Sequence, residues 1–142
     1  MADGDPFSLQ RFIDAQAPVY DAVVRELKNG RKTSHWMWFV FPQIAGLGFS
    51  PMSVRYAISS PEEATAYASH PVLGQRLREC TALVNAVDGR SALEVFGRPD
   101  DMKFHSSVTL FSMTAEEPDV FQTALSKYFD GKPDPQTVAL LG

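Results

Sequence analysis

The sequence predicts an all-α fold: one globular domain over residues 1–142, built as an array of short helices. Three observations carry this reading. Most of the ten prolines precede amphipathic runs, where a first-turn proline forfeits no hydrogen bond and already has a helical φ. Behind them, apolar residues recur at i, i+3 and i+4, and almost nothing alternates with period two. The length of 142 residues, with 44% hydrophobic and 21% charged residues, suits a single core and gives no compositional case for disorder or a fibre.

Asp5-Pro6 pairs a capping carboxylate with a proline and predicts a first helix with Leu9, Phe12 and Ile13 on one face. Ala17-Pro18 leads into a second, with Tyr20, Val23, Val24 and Leu27 on its inner side and Asn29-Gly30 as its stop. The run Ser34-His35-Trp36-Met37-Trp38-Phe39-Val40-Phe41-Pro42-Gln43 holds both tryptophans, and its unbroken apolar block fits a buried strand as well as a buried helix. No second convincing strand pairs with it, whereas Ser34 offers an N-cap and Pro42 a stop, so a short buried helix is expected. Ser50-Pro51 and Ser60-Pro61 open the next two helices, and Ser60 and Glu63 have capping-box spacing.

His70-Pro71 precedes a longer helix with Leu73, Leu77, Cys80, Val84 and Val87 in one stripe, which Gly89 can end. Ser91 and Glu94 repeat the capping-box spacing, and Phe104, Val108 and Phe111 mark another helix. After Glu117-Pro118, Phe121, Ala124, Leu125, Tyr128 and Phe129 follow before Asp130-Gly131, and Asp134-Pro135 starts the last helix.

Composition also narrows function. The net charge is −4 and the basic residues are dispersed, without the stripe that attracts phosphate backbones, so nucleic acid is not an expected partner. A lone cysteine, Cys80, makes no internal disulfide, and the acidic Met1-Ala2-Asp3-Gly4-Asp5-Pro6 lacks the apolar core of a secretory signal. No apolar block is long enough to span a bilayer, so a cytoplasmic protein with no membrane partner is expected. His35, His70 and His105 lie apart, with no Glu-x-x-His or Cys-x-x-Cys arrangement, so no metal is expected. Gly46-Leu47-Gly48 lacks the third glycine and flanking strand of a dinucleotide loop, and no cofactor is expected.

The residues with chemical potential cluster in three places. His35 sits between a possible cap and the aromatic block, where burial beside a carboxylate would tune it for acid–base work and a backbone partner would make it merely structural. Lys103, Ser106 and Ser107 stand at i+3 and i+4 spacing, which permits a Ser–Lys nucleophilic pair and, with less demand on geometry, an anion clamp completed by Arg55. Cys80 falls on an apolar stripe and reads as core.

Three stretches carry a resemblance: Ser34 to Gln43 followed by Gly46-Leu47-Gly48; Arg55-Tyr56-Ala57-Ile58 with Ala66-Tyr67 and His70-Pro71; and Lys103-Phe104-His105-Ser106-Ser107-Val108-Thr109-Leu110-Phe111. Together, and in this order, they resemble the bacterial domain-of-unknown-function family numbered 1810, from about Asp5 to the carboxyl end. The resemblance implies a stand-alone multihelical bacterial protein and assigns it no activity. The protease-inhibitor label calpastatin, attached to some relatives, has no support in these residues.

Two functional readings follow. In the first, Trp36, Trp38 and Phe39 wall a pocket for a planar anionic small molecule, nucleotide-like or a related metabolite, with His35, Gln43, Arg55, Tyr56, Lys103, Ser106 and Ser107 as polar contacts. This requires the aromatic run and the Lys103 helix to meet in space. In the second, exposed aromatics form a protein-interaction patch and nothing reacts.

Overall fold

Local capping decides most of the helix starts. The computed structural model of the chain describes residues 5–142 and builds them into ten helices. The first, α1 (Gln10–Gln16), begins later than Asp5-Pro6 predicts. Asp5 does cap, its carboxylate accepting from the N–H groups of Leu9 at 2.6 Å and Gln10 at 3.0 Å, but a turn with Ser8 at φ +55° intervenes. The end of α2 (Tyr20–Lys28) is a Schellman motif: Gly30, at φ +73°, donates to the Leu27 carbonyl, and the Arg31 N–H donates to that of Glu26.

The aromatic run forms the expected buried helix, α3 (Met37–Val40), but only four residues of it are helical and Ser34 does not cap it. In α4 (Pro51–Arg55), α5 (Pro61–Ser69) and α10 (Pro135–Leu141), Ser50, Ser60 and Asp134 cap as predicted. Glu63 does not complete the box with Ser60. Its carboxylate accepts from the N–H and hydroxyl of Ser59 and pairs with Arg11 at 3.0 Å. Before α6 (Leu73–Asn85), the His70 ring Nδ1 accepts from the N–H groups of Val72 and Leu73, which makes this histidine a cap. The reciprocal Ser91–Glu94 box opens α7 (Ala92–Phe96), and α8 (Asp100–Thr114) and α9 (Asp119–Phe129) follow, the latter closed by Asp130 at φ +56°.

The central helix is α8, buried on more than one side through Phe104 and the stretch from Ser106 to Phe111, and packed against α5, α7, α9 and α10. Against α2, α5 and α9 lies α6, with Leu73, Leu77, Cys80 and Val84 all buried as the stripe requires. Only glycine fits at position 74, where a Cβ would stand 2.1 Å from the Ala68 carbonyl oxygen. Phe41 lies among Trp36, Phe96 and Phe104, with ring centroids 6.2, 5.9 and 5.1 Å away. At depth, Gln16 donates to the Phe39 carbonyl at 2.7 Å and to the Tyr67 hydroxyl at 3.0 Å, so these buried polar groups are satisfied.

No strand forms among the described residues. A single parallel bridge joins Ile44 to Ile58, with the Ile58 N–H donating to the Gln43 carbonyl and the Ala45 N–H to that of Ile58. It holds the chain leaving α3 beside the chain leaving α4. No helix among the described residues is long and apolar enough to cross a membrane.

Candidate functional site

Glu26 organises the entry to the aromatic run. It lies on the inward side of α2, and its buried carboxylate accepts from the N–H groups of Thr33 at 2.8 Å and Ser34 at 3.0 Å, the Ser34 hydroxyl at 2.6 Å and the Trp36 indole at 2.9 Å. Burial would by itself raise its pKa. Donation from the Ser34 hydroxyl, the Thr33 N–H, the Trp36 indole and the Ser34 N–H outweighs burial and holds the carboxyl at about 2, below its ordinary 4.5. The Ser34 hydroxyl is therefore committed to Glu26, which explains why it does not cap α3. Trp36 is locked: its side chain is buried, and the Lys32 ammonium stands 5.2 Å over its ring and pairs with Asp100 at 2.8 Å.

Trp38 is only partly buried and lines a small cleft with Met37, Phe41, Gln43, Ser53, Tyr56 and Lys103. The α3 helix supplies Met37 and Trp38, the Ile44–Ile58 bridge holds the segments bearing Gln43 and Tyr56 together, α4 brings Ser53, and α8 brings Lys103. The Lys103 ammonium lies 5.2 Å from the Trp38 ring and 3.9 Å from Asp100, so one carboxylate stands between Lys32 and Lys103. The enclosed space is about 10 Å³, room for one water-sized group. Its lining carries the indole N–H, an amide, two hydroxyls and an ammonium, and no carboxylate. Among the described residues the buried Trp38 N–H has no protein acceptor. Gly48 permits the close approach of its loop: a Cβ there would stand 2.7 Å from the Ser53 Oγ and 3.5 Å from the Gln43 amide nitrogen.

The residues singled out from the sequence divide accordingly. Trp38, Gln43, Tyr56 and Lys103 come together in the cleft. Trp36 does not line it, because its indole is a core group bound to Glu26. His35 is exposed and outside the lining, and exposed Arg55 reaches it only through Tyr56, with its guanidinium 5.4 Å from that ring. The Ser106 hydroxyl donates to the Met102 carbonyl and to Asp134, both at 3.1 Å, and so ties α8 to the cap of α10. Ser107 is fully buried, and its hydroxyl has no partner among the described residues. Neither hydroxyl bonds Lys103, so the Ser–Lys nucleophilic pair does not form.

Burial pushes the Cys80 thiol up to about 12, in keeping with a core residue. Among the described residues no group of three His, Cys, Asp or Glu side chains gathers as a metal site would need. Sequence reasoning missed Glu26 and Ser53. Glu26 carried a usable signal, a carboxylate three residues from Val23 and next to Leu27 on an apolar face; Ser53 carried none.

Residues 6–141 match the family model described as "Protein of unknown function (DUF1810)", and the chain belongs to that family. Among solved structures it is similar to the conserved hypothetical protein Rv1873 from Mycobacterium tuberculosis, whose crystal structure was determined at 1.38 Å. The two share 60% identity over 96% of this chain and 98% of that one, with a TM-score of 0.95. No curated protein matches the chain.

Proposed function

We propose that this DUF1810 protein binds a small molecule by setting one oxygen of its anionic group, a carboxylate or phosphate, into the cleft between Trp38 and Lys103. The observation that carries the reading is the buried Trp38 N–H without an acceptor, in a lining that also holds an ammonium and lacks a carboxylate. An anionic oxygen there accepts from the indole and from Lys103, and hydrogen bonds to charged groups are worth about 1.5–3 kcal/mol each. The small enclosed space admits a single oxygen, so the rest of the ligand lies outside, near Gln43 and Ser53. Trp36, held in the core, offers no second stacking face. His35, the candidate for acid–base work, lies outside the lining, so the reading is of binding rather than reaction.

A thermal-shift panel of small carboxylates and phosphates tests it. A ligand at a hundred times its Kd stabilises the fold by about 2.7 kcal/mol. Lys103→Ala should erase that shift and leave the unliganded protein nearly as stable. No shift with any of the panel, or one that survives in Lys103→Ala, rejects the proposal.

A protein-interaction module is the second reading. It is favoured by Phe49, 86% exposed, which lines an open groove of about 390 Å³ with Leu47 and Leu140. That patch is separate from the aromatic run, whose Trp36, Phe39 and Phe41 are buried. Loss of a partner in Phe49→Ser, with Lys103→Ala unaffected, would select it.

A further inference from the structure

We infer that a second anion site, independent of the Trp38 cleft, lies in the open groove between the segment joining α2 to α3 and helix α7, and that it takes a phosphate ester with an apolar or planar body. The chain carries a net charge of −4, yet this groove is lined by Arg31, Lys32 and Arg90, with Glu94 the one carboxylate in its lining. Glu94 accepts from the Ser91 N–H at 2.9 Å and lies near enough to Arg90 to feel its charge, while Lys32 pairs with Asp100 at 2.8 Å. Among the described residues neither Arg31 nor Arg90 makes an ion pair, which leaves the two arginines as the cations open to a ligand. Arg90 donates one N–H to the Gly30 carbonyl at 3.1 Å, which seats its guanidinium at the residue before Arg31 and leaves the rest of the fork without a hydrogen-bond partner among the described residues. Arg31 is exposed and has no ion pair among the described residues.

The backbone presenting these groups is fixed. The Arg31 N–H donates to the Glu26 carbonyl at 3.1 Å, the Lys32 N–H to the Val95 carbonyl at 2.8 Å, and the next two N–H groups to the Glu26 carboxylate. Little backbone ordering therefore remains to oppose binding. Paired guanidinium forks suit the several oxygens of a phosphate better than a point charge does. Leu93, 46% exposed, provides an apolar shelf beside them. The groove measures about 580 Å³, within the ~300–1,000 Å³ typical of small-molecule sites, whereas the Trp38 cleft holds a single small group. A phosphate ester that brings its own body therefore fits here.

Isothermal titration calorimetry on the full chain, with AMP, adenosine and inorganic phosphate as probes, tests the inference. AMP should bind saturably, inorganic phosphate more weakly, and adenosine not at all. Arg31→Ala and Arg90→Ala, both at exposed positions, should each weaken AMP by about tenfold, the loss of one charge-assisted contact. Arg31→Lys should lose part of that affinity, since it keeps the charge and removes the fork. In a Lys103→Ala background, which disables the Trp38 cleft, AMP should still bind saturably and Arg31→Ala should still weaken it, which separates the two sites. Equal binding of adenosine, no saturable AMP binding, loss of AMP through Lys103→Ala alone, or capture of phosphatidic acid vesicles in place of AMP would each overturn it.

Discussion

Trp36 and Trp38 stand two residues apart in one aromatic run, each beneath a lysine, and differ in where the indole N–H goes. Lys32 and Lys103 both lie 5.2 Å from their ring, and both face Asp100, at 2.8 and 3.9 Å. The Trp36 N–H ends on the Glu26 carboxylate, while that of Trp38 has no acceptor among the described residues. Trp36 is the N-cap of α3, with a non-helical φ of −144°, whereas Trp38 lies within the helix, so one indole can enter the core while the other lines a cleft. Composition alone does not separate structure from site. The separation depends on whether the fold supplies the buried donor with a partner.

The largest effects should fall on the Trp36 side. Trp36→Ala should cost roughly 3–5 kcal/mol in urea unfolding, as truncation of core aromatics does, and Trp38→Ala less than half as much. Equal losses would break the comparison. Next comes acid. Because the Glu26 carboxyl is held at about 2, below its ordinary 4.5, it contributes roughly 3 kcal/mol at neutral pH. That contribution is complete above pH 4.5 and is lost as the pH falls towards and through 2. Urea midpoints measured from pH 6 to pH 2 should therefore drop steeply in the wild type, whereas Glu26→Gln should start lower and show a flatter acid arm.

Smaller effects should mark the Trp38 side and sharpen the contrast. Trp38→Phe keeps an aromatic ring and removes the unpaired N–H, so stability should hold within about 1 kcal/mol while the anion-induced thermal shift disappears. A large stability loss would show that this indole is structural too. Lys103→Ala should change stability by at most about 1 kcal/mol, because its ion pair with Asp100 is long.

Helix starts were legible wherever the cap is local. Ser50, Ser60, Ser91 and Asp134 each act on an N–H three residues on, and spacing alone identifies them. Ser34 carries the same signature and misleads, because Glu26, eight residues earlier and on another helix, takes its hydroxyl. The meeting of the aromatic run with Lys103 was legible from chemistry, as two segments that join apolar surface to unusually placed polar groups. Which tryptophan would face the cleft was not, since that depends on a carboxylate ten residues from Trp36. Ser106 and Ser107 looked like donors beside Lys103, but one is drawn to the α10 cap and the other is sealed in the core, outcomes set by how α10 packs on α8.

With two tryptophans in the chain, the indole N–H region of a ¹⁵N–¹H correlation spectrum holds one signal for each, and it reads the comparison directly. Titration with acetate and with inorganic phosphate should move the Trp38 signal saturably and leave that of Trp36 in place, with the Trp38 response absent in Lys103→Ala. A Trp38 signal that stays fixed, or two indole signals that move together, would contradict the assignment of Trp36 to the fold and Trp38 to the site.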